Sequence, residues 1–199
     1  MEQAAKSLLI IFYRNPEIGK VKTRLAATVG DERALQIFRK LSFHTKDVTE
    51  KLQADKIVFY SDAIDLMDIW SNAAYLKTLQ HGDDLGERMK NAFQNAFENG
   101  YASVCVIGTD CYELTSEIID RAFEGLRSAD TVIGPARDGG YYLLGMNRLH
   151  PEVFDGKAWS TETVFRETIR DFDDAGLTYV ILPVLRDVDK AEDLPPDLQ

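Results

Sequence analysis

Four basic side chains, Arg14, Lys20, Lys22 and Arg24, fall within one eleven-residue stretch of a chain in which 33 acidic residues outweigh 23 basic ones. Lys20, Lys22 and Arg24 share one side if the backbone is extended, and Lys20 and Arg24 share a face if it is helical. Either geometry concentrates positive charge. Such a concentration suits a polyphosphate. The stretch lies between an apolar run and a helical pattern, where backbone N–H groups and the helix dipole also favour an anion. A solvated loop paired with the acidic surface would account for a lone lysine or arginine; the clustering favours a ligand. Arg14, Lys22 and Arg24 are therefore candidate nucleotide-binding residues. The spacing matches neither the P-loop nor the Rossmann glycine fingerprint, which argues against an ordinary ATPase or dehydrogenase.

The acidic candidates stand at the ends of apolar runs. Asp110 follows Val104 to Gly108, the place where open α/β sheets gather their ligand chemistry. Mg²⁺ or Mn²⁺ takes one or two carboxylates plus substrate phosphate oxygens, so one carboxylate here can serve a metal that neutralises a departing diphosphate. The alternative role, a helix cap, falls more naturally to Thr115. Asp187-Val188-Asp189 puts two carboxylates on one face of an extended backbone and could complete a metal site, or could serve local turn hydrogen bonds. Asp138-Gly139-Gly140-Tyr141-Tyr142 suits a loop where backbone approaches a ligand closely, and equally a hairpin turn. Trp159, ahead of Ser160-Thr161, is either core or a stacking platform. Base recognition is expected from Gln80 to Arg88, with Gln80 and Arg88 as candidates, because that segment follows a short strand and opens a helix.

Elements that could position these groups are legible in the hydrophobic pattern. Apolar runs bounded by turn residues at Ser7–Tyr13, Lys56–Tyr60, Ser103–Gly108, Thr131–Gly134, Tyr141–Met146 and Tyr179–Leu182 predict strands, mostly buried on both faces. Three- and four-residue steps predict a helix over Asp31–Leu52. Further helices are expected at Leu85–Glu98, at Thr115–Leu126 with Thr115 as N-cap, at Thr161–Ala175 closed by Gly176, and at Ile64–Asn72. Strands alternating with helices imply an α/β fold: one domain over residues 1–199 with a mixed, mostly parallel sheet and helices on both faces. The runs Thr131–Gly134 and Tyr141–Met146 leave no room for a crossover helix and predict a local antiparallel pair. Pro195-Pro196 is expected to stop a last helical turn.

Composition removes several function classes. A length of 199 residues with 45% hydrophobic content suits one sizeable core. The net charge of −10 would repel a nucleic-acid backbone, so nucleic acid is not an expected partner. Cys105 and Cys111 form neither a disulfide framework nor a zinc knuckle, and His44 lacks a partner at ligand spacing. The first apolar run is too short for a membrane span or a secretory h-region, so a cytoplasmic protein is expected.

Taken together, Lys22-Thr23-Arg24-Leu25, Asp84-Leu85-Gly86-Glu87-Arg88-Met89, Gly108-Thr109-Asp110-Cys111, Asp138-Gly139-Gly140-Tyr141-Tyr142-Leu143-Leu144-Gly145, Trp159-Ser160-Thr161 and Asp187-Val188-Asp189 resemble a bacterial family of glycosyltransferase-like proteins. That family has the GT-A nucleotide-diphospho-sugar transferase fold, was long grouped as a domain of unknown function, and has some members associated with arsenosugar biosynthesis. The resemblance runs through nearly the whole chain. It implies metal-assisted transfer of a sugar from a nucleotide-diphospho-sugar to a small-molecule acceptor. Lys22 and Arg24 would face the phosphates, Asp110 would bind the metal with Asp187 or Asp189, and Asp138 would lie near the acceptor as the candidate base. Tyr112 stands where the family usually has proline, and the DXD pattern of many GT-A enzymes is absent at Asp110. The Lys-Thr-Arg-Leu segment is also similar to one in guanylyltransferases of the same fold, which would release pyrophosphate. A non-catalytic nucleotide-sugar binding module is the third alternative.

Overall fold

The first apolar run becomes the strand at the heart of a computed structural model that describes residues 6–198. This strand, β1 (Ser7–Tyr13), is followed by α1 (Thr23–Val29), α2 (Asp31–Thr49), β2 (Asp55–Tyr60), β3 (Leu76–Leu79) and α3 (Leu85–Glu98). Then come β4 (Ser103–Ile107), α4 (Ser116–Gly125), β5 (Thr131–Pro135), β6 (Tyr141–Met146), α5 (Val164–Asp174) and β7 (Tyr179–Ile181). One seven-stranded sheet has the order β3-β2-β1-β4-β6-β5-β7. Its pairs β1–β2, β1–β4, β2–β3 and β5–β7 are parallel, while β6 runs antiparallel to both β4 and β5. The α/β architecture and the local antiparallel pair are as the pattern predicts.

Both faces of the sheet are covered, and β1 shows why. Leu9, Ile11 and Tyr13 point into a core shared with Phe38 of α2 and Ile119 and Ala122 of α4, whereas Leu8 and Ile10 point into a second core with Phe93 of α3 and Phe172 of α5. Leu8 to Ile11 are wholly buried, each contributing about 1.5–3 kcal/mol by leaving water. A third, smaller cluster joins Leu25 of α1 to Ala34, Ile37 and Leu41 of α2 and to Val188 near the C-terminus. That cluster decides the site, because Val188 lies between Asp187 and Asp189.

The structure departs from the pattern in several places. Ile64–Asn72 forms turns and bends instead of a helix, because Asp65 and Asp68 accept hydrogen bonds from the backbone N–H groups of Met67 and Trp70, a local alternative to the helical ladder. The basic stretch hides the short helix α1. Helix α2 ends at Thr49 rather than Leu52, and α5 begins at Val164 rather than Thr161. Near the C-terminus the 3-10 turn Ala191–Asp193 ends before Leu194-Pro195, and Pro196 opens a second one, Pro196–Leu198. Thr115 caps α4 as predicted, its side chain accepting from the N–H of Ile118. Among the described residues no helix is long and apolar enough to cross a membrane.

Candidate functional site

The C-terminal ends of the parallel strands open into a cleft of about 460 Å³, the location at which this architecture gathers ligands. Arg14, after β1, Ser61, after β2, and Gln80, after β3, line one part of it; Asp110, after β4, and Tyr141, at the start of β6, line another. Arg88 and Asp187 also border it.

On the β3 side, polar side chains are tied to backbone. Gln80 donates through Nε2 to the carbonyl of Phe59 at 2.8 Å, and Arg88 donates through Nε to the carbonyl of Gly82 at 3.0 Å. Asp84 caps α3 by accepting from Glu87 N–H at 2.8 Å, while the Glu87 carboxylate accepts from Asp83 N–H at 2.7 Å. The first of these bonds satisfies a donor that the helix start leaves open, and the second ties the residue before the cap to the first turn. Asn15 fastens the basic stretch to the end of β2: its Oδ1 accepts from the N–H groups of Asp62 and Ala63, and its Nδ2 donates to the Ala63 carbonyl.

On the other side, charges are balanced against one another. Val188 N–H donates to the Asp110 carbonyl at 2.9 Å, and Cys111 pairs with Asp187 in an antiparallel bridge. With Val188 clamped against Leu25, the Asp187 and Asp189 carboxylates are drawn toward Asp110 and Lys22. The Lys22 ammonium bridges Asp110 at 2.7 Å and Asp189 at 3.1 Å with only 4% of its side chain exposed. Arg24 reaches Asp189 from outside at 3.5 Å and is 60% exposed. Lys22 precedes α1 with left-handed backbone, φ 50° and ψ 44°, a conformation that costs a non-glycine residue about 1–2 kcal/mol. Burial, then the neighbouring Asp110 and Asp138, push the Asp187 carboxyl up to about 7 against the opposing pull of Lys22. Its Oδ1 is buried without a hydrogen-bond partner. The donor chemistry fits a hard cation, since Asp110, Asp187 and Asp189 offer carboxylate oxygens. Among the described residues no three histidine, cysteine or acidic side chains are grouped so that they could hold a metal ion, so at most two of these carboxylates would serve one cation and phosphate oxygens and water would have to supply the rest.

A third wall joins motifs far apart in sequence. A Cβ on Gly86, in the first turn of α3, would collide with the indole of Trp159, and one on Gly139 would collide with the Glu162 carbonyl. Gly139 also has φ 90°, and its carbonyl accepts from Phe165 N–H at 2.9 Å. Trp159 packs against the core through this contact rather than bordering the cleft. Ser160, beside it, does border the cleft, with φ 64°. Lys22 and Ser160 are the two non-glycine residues with positive φ among the described residues. Such strain concentrates at functional sites.

Of the residues singled out in the sequence, Arg14, Gln80, Arg88 and Asp110 border the cleft itself. Lys22, Arg24 and Asp189 form a charged group behind Asp110. Asp138 stands at the turn between β5 and β6, its Oδ1 accepting from Gly140 N–H at 2.9 Å, close enough to raise the Asp187 pKa. Ser61, Asp83 and Ser160 also border the cleft; Asp83 falls in the Gln80 to Arg88 segment and Ser160 in the Trp159-Ser160-Thr161 motif, whereas Ser61 had no signal in the sequence.

Residues 44–161 match the family described as "Uncharacterized protein conserved in bacteria (DUF2064)". The chain belongs to this family. A solved structure from Desulfovibrio desulfuricans G20, described as a candidate nucleotide-diphospho-sugar transferase, is 35% identical, with 94% of this chain and 83% of that chain covered and a TM-score of 0.86. The fold is shared more widely. CMP:2-keto-3-deoxy-manno-octonic acid synthetase in complex with CTP is 10% identical, covering 94% of this chain and 95% of that one, with a TM-score of 0.60. The 4-diphosphocytidyl-2C-methyl-D-erythritol synthase of Anaerococcus prevotii DSM 20548 is 12% identical, covering 95% and 92%, with a TM-score of 0.59. A search of curated proteins finds no match. Family and fold thus agree with the resemblance carried by the motifs.

Proposed function

We propose that this member of the family transfers a sugar from a nucleotide-diphospho-sugar to a small-molecule acceptor. One observation carries the reading: a chain 35% identical to a candidate nucleotide-diphospho-sugar transferase ends its parallel strands in a cleft bordered by basic, amide and carboxylate groups. Gln80 and Arg88, with Arg14, would hold the nucleoside, their geometry already set by backbone hydrogen bonds. Lys22 and Arg24 would meet the diphosphate. Asp110 with Asp189 or Asp187 would hold Mg²⁺ or Mn²⁺, which supplies charge neutralisation for the diphosphate.

The acceptor oxygen would attack the anomeric carbon, the bond from that carbon to the diphosphate oxygen would break, and the acceptor proton would pass to a base. Asp138 is the candidate base: it lies close to Asp187 and has a second carboxylate oxygen beyond the one engaged by Gly140. Lys22 and Arg24, drawn toward the leaving diphosphate, would stabilise the charge that develops as the bond breaks.

The test is incubation with UDP-, GDP- and dTDP-sugars and Mn²⁺. Release of nucleoside diphosphate supports the proposal. Release of pyrophosphate from a nucleoside triphosphate would replace it with nucleotidyl transfer, and binding without turnover would replace it with a binding module.

A further inference from the structure

We infer that Lys22 is a built-in counter-ion that excludes a divalent cation from the carboxylate group until nucleotide phosphates draw its ammonium away. The inference rests on the proposed nucleotide-diphosphate site and concerns the order in which that site fills.

The geometry is specific. The ammonium contacts Asp110 Oδ1 at 2.7 Å and Asp189 Oδ1 at 3.1 Å, with 4% of the side chain exposed. Its left-handed backbone at φ 50° and the Leu25–Val188 packing fix it between these carboxylates. A hard cation seeks the same oxygens, so ammonium and metal are competitors for one position. Arg24 does not replace Lys22, because it meets Asp189 on the outer side and is 60% exposed.

Charge points the same way. With the ammonium in place, Asp110 and Asp189 are paired, while Asp187 Oδ1 remains buried and unpartnered. With it gone, the carboxylates repel one another, and a desolvated group of like charges is costly unless a cation enters. An arriving diphosphate offers Lys22 alternative oxygens and also supplies ligands that the protein lacks. Nucleoside diphosphate and metal should therefore each strengthen the binding of the other, as linkage requires. Phosphate coordination to the metal could by itself produce that mutual effect, so the deciding quantity is metal affinity without nucleotide.

The experiment is calorimetric titration of the full chain with Mn²⁺ alone, and again with saturating GDP or UDP, on the wild type, Lys22→Met and Lys22→Gln. Without nucleotide, both variants should bind Mn²⁺ about ten-fold or more tightly than the wild type, while their affinity for GDP and UDP falls. A change of that size corresponds to a modest electrostatic difference at a partly buried site. If a variant is too unstable to titrate, Mn²⁺ alone should raise its melting temperature more than that of the wild type. Equal Mn²⁺ affinity in wild type and variants, or an equal melting shift, would overturn the inference. Loss of GDP and UDP binding by every protein would instead count against the proposed nucleotide site, and the nucleotide-free comparison would still decide the role of Lys22.

Discussion

The two sides of the cleft are held by different physics. On the β3 side, Gln80, Asp84 and Arg88 are fixed by hydrogen bonds to backbone groups; on the β4 side, Lys22, Asp110 and Asp189 are held by one another and Asp187 Oδ1 has no partner. A side chain tied to backbone keeps its geometry when its neighbour changes. A charge balanced by another charge moves when a new ion arrives. The first arrangement suits recognition of an unchanging group such as a nucleoside, and the second suits a place where charge is added and removed.

The largest effect that this contrast predicts is at Asp110. Asp110→Asn keeps size and much hydrogen bonding but removes the charge that a hard cation requires, and it should abolish nearly all of the affinity that Mg²⁺ or Mn²⁺ adds to nucleotide binding. Titrations with and without metal would read this. Asp187→Asn and Asp189→Asn, run in parallel, identify the second ligand as whichever reproduces the loss. On the opposite side, Arg88→Ala should weaken nucleoside diphosphate binding by roughly 1–3 kcal/mol, the range of a hydrogen bond to a charged group, whether or not metal is present. Dependence on metal there would dissolve the distinction between the sides.

Smaller effects sharpen it. Asp84→Ala removes the cap of α3 and should cost about 1 kcal/mol in denaturant unfolding, with metal affinity unchanged. Arg24→Ala removes an exposed ion pair at 3.5 Å, and its effect on stability should lie within about 1 kcal/mol. Its effect on diphosphate affinity should be smaller than that of Lys22→Met. A larger loss at Arg24 would make the exposed arginine, and not the buried lysine, the principal phosphate contact.

How legible each feature was follows from how local its cause is. The strand Ser7–Tyr13 and the helix Leu85–Glu98 could be read to the residue, because an unbroken apolar run and a capped amphipathic stripe are written in neighbouring positions. The segment Ile64–Asn72 misled for the same reason: its apolar spacing is helical, but Asp65 and Asp68 spend their carboxylates on nearby N–H groups. At the site, Asp110 could be placed from its strand alone. The contact between Lys22 and Asp189, 167 residues apart, could not, since it depends on Leu25 packing against Val188. Nor did the Trp159-Ser160-Thr161 motif disclose that Trp159 fills the space left by Gly86 and holds Ser160 at the cleft.

The central claim is that the strand ends bind a nucleotide-diphospho-sugar together with a divalent cation. It is tested most directly by titrating UDP-, GDP- and dTDP-sugars into the wild type and Asp110→Asn, each with Mn²⁺ and with the metal chelated. The account predicts that at least one of these ligands binds the wild type more tightly with Mn²⁺. It also predicts that the two proteins bind that ligand almost equally without metal, and that Asp110→Asn gains little or nothing from Mn²⁺. An equal metal-linked gain in both proteins would contradict it, as would the failure of every nucleotide-diphospho-sugar to bind the wild type.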